Sequence, residues 1–161
     1  MARPFSDLPK VINGLGTALG QAVNEVIPTT ALRLHSDLVD STPVDTGRAR
    51  SNWRVSFNTP DHWVIDPYYE GYKLGRGETR NAAPTKALAK AVIQNIRGNN
   101  GAFPKNFKVY IYNNVDYLGL LNNTSHSMQN VPGWVQRDIA HNVHKMAFRL
   151  VERFKARIRS L

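Results

Sequence analysis

The segment Thr42-Pro43-Val44-Asp45-Thr46-Gly47-Arg48-Ala49-Arg50-Ser51-Asn52-Trp53 constrains the fold more than any other. Pro43 drives Thr42 out of the helical region of backbone space, so a helix that precedes it has to end there. Asp45 and Thr46 carry short polar side chains that bond nearby backbone, and Gly47 can take a positive φ that other residues resist. An apolar pattern of helical period comes before this turn, and one of strand period follows it. The segment is therefore a corner between two elements. Arg48 and Arg50, which leave it, have three possible roles: in the fold, at an interface, or on a ligand.

Leu8, Val11, Ile12, Leu15, Leu19, Ala22, Val23, Val26 and Ile27 recur at spacings of three and four, the pattern of one helix face. Gly14, Gly16 and Gly20 weaken such a helix by up to about 1 kcal/mol each relative to Ala; they either allow close approach of a neighbour or make the helix pliable, and close packing is the expectation. Pro28, which lacks an amide proton, is expected to kink or restart the helix. A second helical stretch then runs from Ala31 to Val39 and ends at the corner.

Beyond the corner, Trp53, Val55 and Phe57 alternate with Arg54, Ser56 and Asn58, as in a strand with one wet face. His62–Ile65 reads as its hairpin partner across the turn Asn58-Thr59-Pro60-Asp61. Pro84–Arg97 reads as a helix with Leu88, Ala91, Val92 and Ile96 on one side, stopped by Gly98. Phe107–Tyr112 alternates again and gives a third strand. A helix is expected from about Gly133 nearly to the end, and mobile loops at 73–83 and 119–132. With no repeat or linker to divide it, residues 1–161 are expected to form a single α+β domain. Its small antiparallel sheet would pack against a long N-terminal helix, a middle helix and a long C-terminal helix.

Composition narrows the function classes. Twenty-one Lys and Arg against 12 Asp and Glu give a net charge of +9, which predisposes the chain to meet polyanions. Absence of cysteine removes disulfides, thiolate catalysis and Cys-based zinc sites, and fits a reducing compartment. No signal peptide or membrane-length apolar run is legible, so synthesis in a cytoplasm and no membrane partner are expected.

The C-terminal helix carries the most concentrated charge. Arg137, His141, Lys145, Arg149, Arg153 and Arg157 repeat every four residues beside an apolar ridge of Ile139, Val143, Met146, Leu150, Phe154 and Ile158. Cations near a helix C-terminus are favourable with its dipole by about 0.3–1 kcal/mol, which is one reason for them. The row is longer than that effect requires, so Arg137, Lys145, Arg149, Arg153 and Arg157 are also candidates to face DNA or an acidic partner. Catalysis finds little support: carboxylates paired at useful helical spacing and a phosphate-cradling loop are missing, and an enzyme acting on nucleic acid or cell wall is a distant third reading with no active site to name. His141 and His144 lack a third metal ligand, and Lys145 makes their surroundings cationic. No catalytic residue, metal ligand or cofactor-binding residue is assigned. Aromatics beside basic residues at Trp53-Arg54 and Tyr68 to Lys73 suit either stacking on single-stranded nucleic acid or packing in the core.

Two segments together resemble a known family. Thr42-Pro43-Val44-Asp45-Thr46-Gly47-Arg48, after a long N-terminal helix, is similar to the P-V-D-T-G-x-L/A signature of the tail-completion or neck (head–tail joining) proteins of long-tailed double-stranded DNA bacteriophages. Tyr112-Asn113-Asn114-Val115-Asp116-Tyr117-Leu118-Gly119-Leu120-Leu121-Asn122-Asn123-Thr124-Ser125 is similar to that family's N-x-V-x-Y-A-x-x-L-E-x-G-T-S block. The order of helix, corner, strands, block and C-terminal helix also agrees, so the resemblance covers most of residues 8 to 160. Two departures stand out. Leu121-Asn122-Asn123 replaces the usual Glu-Tyr-Gly or Glu-Gly-Gly, and the helix before the third strand is long.

The resemblance implies a virion structural protein and no enzyme. Such proteins form rings, typically six-fold, where the tail tube meets the head connector, and genomic DNA passes through the lumen without sequence-specific contact. It implies homo-oligomeric contacts through Asp45, Thr46, Gly47, Arg48, Tyr117, Leu118 and Leu121, with the corner and the Tyr112–Ser125 block as the two halves of a heterologous interface. Tail completion and tail termination are not separable on these motifs. A basic double-stranded DNA-binding protein using its C-terminal helix is the alternative from a different class.

Overall fold

The computed structural model describes residues 8–71, 79–96, 103–104, 107–124 and 131–159. Helix α1 spans Leu8–Ser41, α2 is the single turn Arg48–Ser51, and strand β1 is Arg54–Phe57. A 3-10 turn at Thr79–Asn81 leads into α3, Ala82–Ile96; then come β2, Val109–Tyr112, the short α4, Leu118–Asn123, and α5, Trp134–Ile158. The fold is α+β, with one two-stranded antiparallel sheet and three long helices among the described residues.

Helix α1 is the spine. It ends at Ser41, where Pro43 requires it to. It also runs unbroken through Pro28, contrary to the kink or restart expected there. Pro28 is itself fully buried. A proline inside a helix costs about 3 kcal/mol, and burial on both sides of it, at Ala22, Val26, Ala31, Leu38 and Val39, offsets that cost. Gly16 and Gly20 do not serve close packing: a Cβ added at either would meet nothing within 4 Å. They lie away from the buried row Ala18, Ala22, Val26 and Thr30.

Helices α3 and α5 both run antiparallel to α1. Lys86 on α3 pairs with Asp40 while Ala89 and Ile93 pack near Ala31. Asn142 on α5 bonds Asp37, and further along Arg157 pairs with Glu25. One core cluster joins Ala31, Val55, Ala89, Ile93 and Phe103. The other joins Leu38, Val39, Trp53 and Trp134, the two indoles meeting edge to face at 6.2 Å between centroids. The buried line of α3 is Thr85, Ala89 and Ile93, one position along from the apolar side read from its sequence, and Leu88 is exposed. A buried threonine in that line hid it from a hydrophobic count.

The sheet differs from the expected hairpin. β1 pairs with β2 in the register Arg54↔Tyr112, Val55↔Ile111, Ser56↔Tyr110 and Phe57↔Val109, and residues 61–67 form no strand. The inward face of β1 is the expected one, with Trp53 and Val55 buried and Phe57 half-buried. Of the loops expected at 73–83 and 119–132, residues 79–81 are a 3-10 turn, Ala82 already belongs to α3, and α4 runs to Asn123. Residues 73–78 and 125–130, and the Gly98 helix stop, lie outside the described residues.

Candidate interaction surface

The corner is built around Gly47, whose φ is +84°. A Cβ there would overlap the Asn81 side-chain nitrogen and stand 3.2 Å from the Tyr69 carbonyl. Both the left-handed backbone and the close approach therefore require glycine. Asn81, fully buried, accepts from Ser51 Oγ and the Tyr69 amide at 2.8 Å each, and donates to the Tyr69 carbonyl at 2.7 Å. Gly71 closes the same loop by donating to the Thr46 carbonyl at 3.1 Å.

Asparagine side chains do for this end of the molecule what a third strand would otherwise do. Asn52 donates to the carbonyl of Ile65 and accepts from its amide, both at 2.8 Å, mimicking a ladder pair. Asn114 donates to the Asp61 carbonyl at 2.9 Å, and Asn113 to the Ala49 carbonyl at 2.7 Å. This explains why 61–67 follows the sheet without joining it: its backbone groups are met by side chains. Each such bond contributes about 1 kcal/mol net, and leaving a buried partner unmet costs more.

Arg50 acts inside the fold. It is 9% exposed, and Nη2 donates to the carbonyls of Thr42 at 2.8 Å and Asp40 at 3.2 Å. It thus covers carbonyls at the end of α1 and places a cation at its negative pole. Arg48, by contrast, is exposed, as are Asp45 and Thr46. Thr42 completes the joint by accepting from Trp53 Nε1 at 2.7 Å and donating to the Leu38 carbonyl at 2.6 Å.

The two motif segments meet in space. Asn113 of the block donates to the Ala49 carbonyl beside the corner at 2.7 Å; burial, the largest influence, raises the pKa of the half-buried Tyr117, Thr46, Arg48 and Ala49 oppose the rise, and Asp116 adds to it. Leu118 packs on the Leu38–Val39–Trp53–Trp134 core, and Leu121 is half-buried. Asn122 ties α4 to α5, accepting from the Val135 amide and donating to Gln136 Oε1 at 2.9 Å each. Corner and block therefore make one composite surface within a chain, not two separate halves. Of the seven residues singled out there, Asp45, Thr46 and Arg48 face solvent, and Gly47 is buried.

The basic row of α5 is only partly open. Arg153 and Arg157 pair with Glu25 on α1, Arg137 lies 3.6 Å from Asp138, and Lys145 and Arg149 are half-buried. Of the apolar ridge, Met146, Leu150 and Phe154 are half-buried, whereas Ile139, Val143 and Ile158 are exposed. The inner line at the start of α5 is instead Trp134, Asp138 and Asn142. Polar residues there gave no hydrophobic signal.

Sequence reasoning missed Trp63, which stands 74% exposed on the clamped 61–67 segment, with Tyr68 and Tyr69 partly exposed beyond it. Trp53, in contrast, belongs to the core. Arg80 lies over the Tyr69 ring at 4.6 Å. Among the described residues no group of His and carboxylates is placed to hold a metal ion, and no helix is long and apolar enough to cross a membrane. No protein-family model, curated protein or solved structure matches the chain.

Proposed function

We propose that this chain is a structural subunit of the neck of a long-tailed double-stranded DNA bacteriophage. In this reading it assembles as a ring that completes or caps the tail tube and joins it to the head connector, with DNA passing through the lumen. Its role is mechanical and not catalytic, and its place is the virion. One observation supports the reading above the others: the two segments that carry the resemblance, far apart in sequence, meet in the fold, where Asn113 of the second donates to the carbonyl of Ala49, directly after the first, at 2.7 Å. A shared surface gives both motifs a common reason to be specified. The Glu25 ion pairs weigh against a dedicated DNA-binding helix, because they engage two of its cations within the subunit.

The test combines mass in solution, negative-stain imaging and attachment to purified tail tubes or connectors. Rings, alone or formed on the tube end, are the expected result. A strict monomer that attaches to neither would overturn the proposal. Duplex DNA titrations separate the alternative: a ring subunit should bind weakly with a shallow salt dependence, whereas a DNA binder shows a steep log–log slope.

A further inference from the structure

Among the described residues, two groups of exposed apolar side chains stand close together in sequence or on one helix face. The first is on α5, where Ile139, Val143, Ala147 and Val151 repeat every four residues and all are exposed. Phe148, 67% exposed, lies three residues before Val151 and so on the adjoining ridge. The neighbouring row Met146, Leu150 and Phe154 is half-buried, so α5 carries two apolar rows of which this one has no cover among the described residues. Over Trp134–Ile158 the helix has six Lys and Arg against two Asp and Glu, and stays net positive with Arg153 and Arg157 set against Glu25.

The second surface is residues 61–71, at the corner end. Trp63, Val64, Tyr68 and Tyr69 are 74, 37, 39 and 43% exposed. The segment contains Asp66, Glu70 and Asp61, the last paired with Arg54 at 3.1 Å, and no Lys or Arg. Its backbone is held by Asn52, Asn81 and Asn114, so the indole is displayed from a fixed support. An aromatic side chain carries about 150–250 Å². The largest apolar patch on a monomer is typically roughly 300–600 Å² and often functional.

We propose that the α5 ridge receives the 61–71 segment of a second copy, so that the chain associates head to tail. Charge decides this pairing over the self-complementary ones. Ridge against ridge would bring basic helices together, and segment against segment would bring carboxylates together, whereas the cross pairing opposes unlike charges. A contact between two different surfaces is heterologous and propagates until it closes. The inference rests on the ring reading and supplies its interface; rings could also close through other surfaces.

Because the chain has no cysteine, disulfide trapping has no background. Single variants Val64→Cys and Tyr68→Cys are mixed with Val143→Cys or Ala147→Cys and oxidised. A mixed cross-linked dimer is expected, with little product from any variant alone, and Val64→Cys/Val143→Cys in one chain should give a ladder. Trp63→Ala should weaken self-association at least ten-fold, with unchanged circular dichroism. A strong Val143→Cys homodimer would overturn the proposal by showing that the ridge meets itself. Rings without any mixed cross-link would overturn the interface and leave the ring reading standing. A ladder that never closes, even on tube ends, would uphold the interface and remove the ring. No association under any condition would overturn both.

Discussion

Around Gly47 irregular backbone is held by side-chain amides, each meeting a named carbonyl or amide: Asn52 on Ile65, Asn81 on Tyr69, Asn113 on Ala49. Along the N-terminal part of α1 and the C-terminal half of α5 the arrangement is the reverse. There the backbone satisfies itself as helix; α1 buries Ala18, Ala22 and Val26, α5 half-buries Met146, Leu150 and Phe154, and Glu25 bridges to Arg153 and Arg157. The corner end is specified by directional bonds in buried sites; the helical arm is specified by a row of small and apolar side chains. A directional bond tolerates little displacement, whereas an apolar row tolerates substitution that keeps its volume. Single changes should therefore hurt the corner end far more.

Gly47→Ala carries the largest expected effect. It combines an unfavourable positive φ with overlap on Asn81, and should cost about 3 kcal/mol of unfolding free energy. Asn81→Ala is destabilising by itself because Tyr69 loses both partners. In the double variant the overlap is gone, so the two costs should sum to less than their separate values. Urea unfolding of the four proteins measures this cycle. Strict additivity, or a Gly47→Ala cost under about 1 kcal/mol, would mean that the corner is not fixed in the way described.

An intermediate effect is expected at the joint between the two regions. His35 on α1 is 1% exposed and donates from Nε2 to the Trp53 carbonyl at 3.1 Å. Burial lowers its pKa, the Trp53 bond opposes this and Lys86 adds to it. The unfolded chain therefore takes up a proton more readily than the folded one. The stability tied to neutral His35 is complete above pH about 6.5 and is lost as the pH falls below that value, with a slope of at most about 1.4 kcal/mol per pH unit. Comparing denaturation midpoints of the parent and His35→Gln from pH 7.5 to 5 tests the sign. A parent that gains stability on acidification relative to the variant would contradict it.

The smallest effect belongs to the arm. Glu25 is about two-fifths exposed and Arg153 about two-thirds. Solvent screening limits their contribution, so Glu25→Gln should cost no more than about 0.5 kcal/mol at low salt and nothing measurable at 1 M salt. A thermal-melt series in salt reads it. A loss rivalling that of Gly47→Ala would erase the contrast between the two regions.

Much of the local order was legible in the residues themselves. Pro43 ends α1, Gly47 takes the positive φ assigned to it, Gly133 precedes α5, and the alternation of Trp53, Val55 and Phe57 marks the inward face of β1. Each depends on backbone sterics or on a short-range period, which a residue and its neighbours carry with them. The choice of β2 as partner for β1, the unbroken passage through Pro28, the inward turn of Arg50 and the polar inner line Asp138–Asn142 were settled only by the tertiary structure. In each of these, groups distant in sequence meet and satisfy a polar atom or bury a surface. Nothing local states which of two apolar rows on α5 will find a neighbour: the row through Met146, Leu150 and Phe154 is half-buried, and the row through Val143 and Val151 is left facing outward.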